Sequence, residues 1–135
     1  MIQLRSRLFL LATVSLLAWN ALPARAEDWP LWRGPRGDNI CLEKNLLNAW
    51  PEGGPKQLWS VAVGSGYSTP IAVAGKLYFF SMKDNKETLT CLNADTGAIL
   101  WTQSYGPGRT GQYAGTRATP TLVGDKLYAY GAVGN

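Results

Sequence analysis

The stretches STPIAVAGKLYFFS (68 to 81) and ATPTLVGDKLYAYG (118 to 131) align without a gap, and this repeat limits the possible folds more than any other feature of the chain. At an offset of 50 residues, Thr69, Pro70, Val73, Lys76, Leu77 and Tyr78 meet Thr119, Pro120, Val123, Lys126, Leu127 and Tyr128. Six identities in fourteen positions are a poor outcome for chance, so the two stretches read as copies of one supersecondary unit. A second echo, Leu-Trp at 58–59 and again at 100–101, recurs at an offset of 42. Units repeating at this spacing cannot each bury an apolar face alone; they stack on their neighbours.

The texture inside the repeat is β. QLWSVAV (57 to 63), STPIAVA (68 to 74), KLYFFSM (76 to 82), ETLTCLN (87 to 93) and AILWTQSY (98 to 105) are short runs rich in β-branched and aromatic residues. Gly75, KDNK (83 to 86) and ADTG (94 to 97) link the last four, and links this short force antiparallel neighbours. KLYFFSM is apolar at both parities, with Leu77 and Phe79 on one side and Tyr78, Phe80 and Met82 on the other. A sheet with one wet face alternates; a sheet covered on both faces need not. Four short strands per unit, a period of 40 to 50 and two covered faces describe a β-propeller blade. Pro70 and Pro120 lack an N–H, so they belong at the start or edge of a blade's innermost strand.

The chain opens differently. Arg5 and Arg7, an apolar run over 8–22 and Ala24-Arg25-Ala26 form the pattern of a secretory signal cleaved after Ala26. The run falls short of the roughly 20 residues that span a bilayer, no cysteine for lipid attachment follows it, and no later segment could span. Removing Arg5, Arg7 and Arg25 lowers the net charge of +4 by three, to +1, which leaves no basic patch for nucleic acid. Residues 27–57 are rich in Trp, Pro and Gly and read as an irregular lead-in. Within it 42–49 has at most a short helical turn before Pro51, and Trp29, Trp32 and Trp50 are expected to cover apolar surface. The chain has no histidine, which removes His-based triads and most zinc sites. Of the two cysteines, Cys91 reads as a small core residue. A Cys41–Cys91 disulfide is permitted by an exported location but not demanded by the spacing.

CLNADTGAILW (91 to 101) resembles the repeat of pyrroloquinoline-quinone (PQQ) type propellers, A-x-D-x-x-T-G-x-E-x-W. Thr96, Gly97 and Trp101 fit; Cys91, Asn93 and Ile99 stand where that repeat has Ala, Asp and Glu. DWPLWRGP (28 to 35), WPEGGPKQLW (50 to 59) and RATPTLVGDKLYAYGAVG (117 to 134) are similar to exported bacterial proteins of the PQQ-binding-like repeat group. The expected architecture is all-β. A signal peptide occupies 1–26, a Trp/Pro-rich lead-in 27–57 and incomplete propeller repeats 58–135, amounting to about one and a half four-stranded antiparallel blades. Since propellers close with about four to eight blades, further blades on a longer chain are expected to complete the ring. The resemblance implies blade-structural roles for Trp59, Trp101, Thr96 and Gly97. Trp101 docks between blades, Thr96 and Gly97 shape the turn, and Trp59 does Trp101's work in the closing blade.

The fold hosts enzymes and non-enzymes alike. Quinoprotein dehydrogenases resembling this group carry adjacent cysteines and converging Glu, Asn and Asp ligands for Ca²⁺. This sequence has no adjacent cysteines and scatters its carboxylates through turns and the lead-in. No cofactor is evident; PQQ and Ca²⁺ would require residues of the missing blades. GPGRTGQYAGTR (106 to 117) lacks the Gly-Lys-Ser/Thr of a phosphate loop, Arg36-Gly37-Asp38 reads as accidental, and KDNKE (83 to 87) reads as a solvated turn. In a meander the 83–86 turn and the 106–117 connection share one end, so Lys83, Asp84, Arg109, Tyr113 and Arg117 are the candidate binding face. The plainer reading of that loop is a flexible solvent segment. The favoured function is a non-catalytic scaffold or interaction module, periplasmic or secreted, engaging protein or polysaccharide at the cell envelope. Its fold would be similar to that of the propeller lipoprotein that assists outer-membrane barrel assembly. The alternatives are a PQQ-dependent alcohol or sugar dehydrogenase and a carbohydrate-binding propeller.

Overall fold

A computed structural model describes residues 26 to 134; of the expected signal peptide, all but Ala26 lies outside the described residues. The described chain is all-β, with no helix. Four strands, β1 (Ile71–Val73), β2 (Lys76–Lys83), β3 (Lys86–Asn93) and β4 (Ile99–Tyr105), form an antiparallel sheet in the order β1-β2-β3-β4. β5 (Thr121–Val123) and β6 (Lys126–Tyr128) pair in a second, two-stranded sheet. These are partial propeller blades: one four-stranded meander followed by the first hairpin of the next.

The turns are dictated locally. Lys83 pairs with Lys86, leaving Asp84 and Asn85 as a two-residue loop with φ of 50° and 59°. That is the left-handed pair whose twist matches a hairpin, and Asp and Asn tolerate it better than most residues. Val73 pairs with Lys76 around Ala74 (φ 52°) and Gly75 (φ 73°). Alanine is costly in that region, and its N–H is held by the carboxylate of Asp28 at 2.9 Å. Val123 and Lys126 enclose the matching loop, Gly124-Asp125. Pro70 and Pro120 each stand immediately before a strand that begins a hairpin, where the absent N–H removes no ladder bond.

The core lies in the middle of the meander. Ile71, Phe79, Phe80, Leu89, Cys91 and Leu92 are buried, so β2 and β3 bury side chains from both faces, as the mixed parity of KLYFFSM predicts. On one face Phe80 stacks on Tyr105 with centroids 5.8 Å apart, and Tyr78 meets Trp101 at 6.1 Å. Cys91 is buried and Cys41 exposed, and both thiols are free. Burial pushes the Cys91 thiol above its ordinary value, as expected of an inert core residue.

Three expectations are corrected. Residues 57–63 form no strand, because a strand needs a ladder and no described strand lies alongside them. Only Ser65, just beyond, makes a bridge, to Met82. No helical turn forms over 42–49; Asn45 sits at φ 61°, which no α-helix accommodates. Trp32 and Trp50 are 65% and 68% exposed rather than covering apolar surface. Trp29 does pack, over Gly34, where any β-carbon would strike the indole at 2.7 Å.

The lead-in has an unexpected role. Trp29 bridges Ala72 with two backbone hydrogen bonds, of 2.6 and 3.0 Å, along the edge of β1 opposite β2. The next residue, Pro30, accepts from Leu122 N–H in β5 at 3.4 Å. One short extended segment thus caps the leading strands of both hairpins. Farther along, Arg36 pairs with Glu27 at 2.5 Å and reaches Asp38 at 3.6 Å, so the Arg-Gly-Asp triplet is engaged internally. The Arg36 hydrogen bond holds the Glu27 carboxyl below its usual value.

Candidate functional site

The ADTG turn between β3 and β4 is a self-contained hydrogen-bonded knot. Asn93 Oδ1 accepts from the N–H of Asp95 (3.0 Å), the N–H of Thr96 (2.9 Å) and the hydroxyl of Thr96 (3.0 Å). Thr96 Oγ1 in turn accepts from Ala98 N–H at 3.3 Å, and Gly97 takes φ 71°. Asn93 thus offers an acceptor oxygen where the repeat pattern has Asp. A β-carbon on Gly97 would lie 2.6 Å from the Trp59 ring, and Trp59 Nε1–H donates to Ala94 O at 3.0 Å. A tryptophan from outside the sheet is therefore seated on this turn, with its one polar atom satisfied. Trp101, its repeat counterpart, is 41% exposed and beside Tyr78.

At the other end the connections are longer. Gly108 N–H donates to Asn85 O at 2.9 Å, which ties the 106–117 loop to the Asp84-Asn85 turn and puts both at one end of the blade. Gly115 N–H closes back on Arg109 O at 2.9 Å, and Tyr113 sits at φ 58° with its ring 60% exposed. Arg117 Nη2 donates to Tyr113 O at 3.0 Å, and its guanidinium lies 5.5 Å over the Tyr67 ring. Tyr113 and Arg117 are thus brought together, with Tyr67, a residue that sequence reasoning missed. The signal for it was available: Tyr67 and Arg117 occupy the same position of the repeat, 50 residues apart. Lys83 and Asp84 instead line a separate groove with Lys86, floored by hydroxyls of β2, β3 and β4 and walled by Val61 to Val63. Within it the Thr88 and Ser104 hydroxyls meet at 2.9 Å.

Thr116 is the second residue that the sequence hid. Fully buried, it donates to Phe80 O at 2.7 Å and accepts from the Ser68 hydroxyl at 2.9 Å, while its carbonyl accepts from Tyr67 N–H at 2.8 Å. Gly66 runs against it so closely that a β-carbon would meet Thr116 Oγ1 at 2.5 Å. This contact locks the segment leading into β1 against the segment leading into β5. Thr69 N–H repeats the pattern on Thr119 Oγ1 at 3.2 Å.

Deeper in, Glu87 of β3 is fully buried. Its Oε1 accepts from Ala132 N–H at 2.7 Å, joining the first blade to the chain beyond β6. Glu87 Oε2 and the hydroxyl of Tyr105, its cross-strand partner, are buried without a hydrogen bond among the described residues. Burial first, and the nearby Glu87 charge second, push the Tyr105 phenol above its usual value.

The family model described as outer membrane protein assembly factor BamB matches residues 18–135. The chain belongs to that family. No curated protein and no solved structure matches it. As a member of the BamB family it carries PQQ-like repeats, and the ADTG turn with its docked tryptophan is the repeat's structural element. A quinone with Ca²⁺ needs several oxygen ligands converging. Here Glu27 pairs with Arg36, Asp28 holds Ala74, Glu87 holds Ala132, and no group of three or more His, Cys, Asp or Glu comes together among the described residues. Nor is any described helix long and apolar enough to cross a membrane.

Proposed function

We propose that the chain is exported after cleavage at Ala26 and works at the cell envelope as a non-catalytic interaction module, binding through the end that carries the 106–117 loop. One asymmetry carries this reading. The hairpin end is trimmed to tight turns, whereas the opposite end presents Arg109, Tyr113 and Arg117 on a loop anchored to a rigid hairpin, with Tyr67 beneath Arg117. Anchored loops on rigid scaffolds are where recognition concentrates. Membership of a family described as an outer membrane protein assembly factor supports an envelope role. The scattered carboxylates, several of them engaged internally, favour binding over catalysis.

The test is co-sedimentation of the full-length protein with isolated cell envelopes. Arg109→Ala combined with Tyr113→Ala, both at exposed positions, should release most of the bound protein while leaving its melting unchanged. Retention equal to that of the unmodified protein would sink the reading.

A further inference from the structure

At the mouth of the junction between the two repeats, Trp32, Tyr67, Thr69, Arg117, Ala118 and Thr119 line an open cleft of about 440 Å³. We infer that this cleft binds a carboxylate-bearing sugar, a hexuronate unit of an acidic polysaccharide. The inference rests on the reading of the long-loop end as the binding end and names the ligand it takes.

The cleft is built from equivalent positions of the two repeats, Tyr67 with Arg117 and Thr69 with Thr119, so its geometry follows from how the repeats pack rather than from a free loop. Arg117 is held on two sides, by the Tyr113 carbonyl and by the Tyr67 ring. Among the described residues it has no carboxylate partner; the ion pairs belong to Arg36. A guanidinium fixed in place, with donors to spare, suits a carboxylate in paired hydrogen bonds, and the ordering cost is already met. Because Arg117 covers one face of Tyr67, the free aromatic platform is Trp32, 65% exposed. Apolar sugar faces stack on such a ring, and the two threonines offer hydroxyl partners. A peptide is the poorer fit. Extended peptides gain affinity by adding to a free strand edge, but here the edge of β1 is taken by Trp29 and Leu122 of β5 by Pro30.

Calorimetry on the full-length protein decides, using oligogalacturonate, its neutral methyl ester and polyglutamate of similar length. The acid sugar should bind about tenfold more tightly than its ester, one charge-assisted contact being worth about that factor. Arg117→Gln should abolish the preference, leaving both sugars at the ester's affinity. Trp32→Ala, at an exposed position, should weaken both sugars about equally. Equal affinity for acid and ester, no sugar binding, tighter binding of polyglutamate, or indifference to Trp32→Ala would each overturn the inference. If the sugar fails while envelope binding still depends on Arg109 and Tyr113, the interaction module stands and only its ligand is wrong. If both fail, the module reading falls too.

Discussion

The β1–β2 and β5–β6 hairpins share a register, a two-residue loop and four identical side chains, yet β2 runs for eight residues and β6 for three. Phe80 in the first is 2% exposed, and Tyr130 at the same repeat position is 67% exposed. The difference is one of neighbours. β2 is paired on both edges and covered on both faces, whereas β6 pairs with β5 alone. Local sequence is enough to form the turn, but the adjacent strand decides how far the ladder extends and what it buries. The tryptophans repeat the lesson, since Trp59 finds a turn to sit on and Trp101 stays 41% exposed.

Substitutions at paired positions sharpen or break this comparison. The largest contrast belongs to the hairpins. Phe80→Ala should lower the unfolding free energy by about 3–5 kcal/mol, the range for a fully buried aromatic. Tyr130→Ala should stay within about 0.5 kcal/mol. Equal losses in urea titrations would mean that the second hairpin is packed as tightly as the first.

Next come the tryptophans. Gly97→Ala meets both a left-handed φ and the Trp59 ring, and should cost about 2 kcal/mol. Trp59→Ala, at a half-buried site, should cost a similar amount. Because both act on one contact, the double variant should lose clearly less than their sum, while Gly97→Ala and Trp101→Ala should simply add. Additivity of the first pair in thermal melts would dissociate Trp59 from the turn.

The turn itself gives a smaller effect. Asn93→Ala strips an acceptor from three donors and should cost about 1–2 kcal/mol, whereas Asn93→Asp should stay within about 0.5 kcal/mol. An Asp variant as damaged as the Ala variant would show that the amide, not the oxygen, is needed.

The smallest effect is alkaline. With the folded Tyr105 phenol raised by burial and the Glu87 charge, the neutral form is favoured in the fold. Its contribution is intact below the ordinary phenol value near 10 and is lost as pH rises from there through the folded value. Tyr105→Phe should flatten that part of the stability–pH curve, and an unchanged slope would assign it elsewhere.

Much of the architecture was legible because it rests on short-range rules. Runs rich in β-branched and aromatic residues marked the four strands of the first sheet to within three residues at each end, and the short links at Gly75, 83–86 and 94–97 marked their turns. Expectation failed at 57–63 and at Trp32 and Trp50, where local pattern suggests a strand or a buried ring and the outcome depends on what stands alongside. At the candidate site, Arg109, Tyr113 and Arg117 could be placed at one end from topology alone. Tyr67 under the guanidinium was signalled only by its repeat position, shared with Arg117, and Thr116, bonded to Phe80 36 residues away, left no local signal.

By itself, then, the sequence determined the hairpins, their turns and the repeat. Hydrogen bonds within four or five residues and the handedness of the backbone are settled before anything packs. Tertiary structure alone decided that the lead-in would cap β1 and reach β5, that Trp59 would seat on Gly97, and that an arginine and a tyrosine from matching repeat positions would frame a cleft. Those outcomes depend on which surfaces meet, and burial is a property of the meeting rather than of either strand.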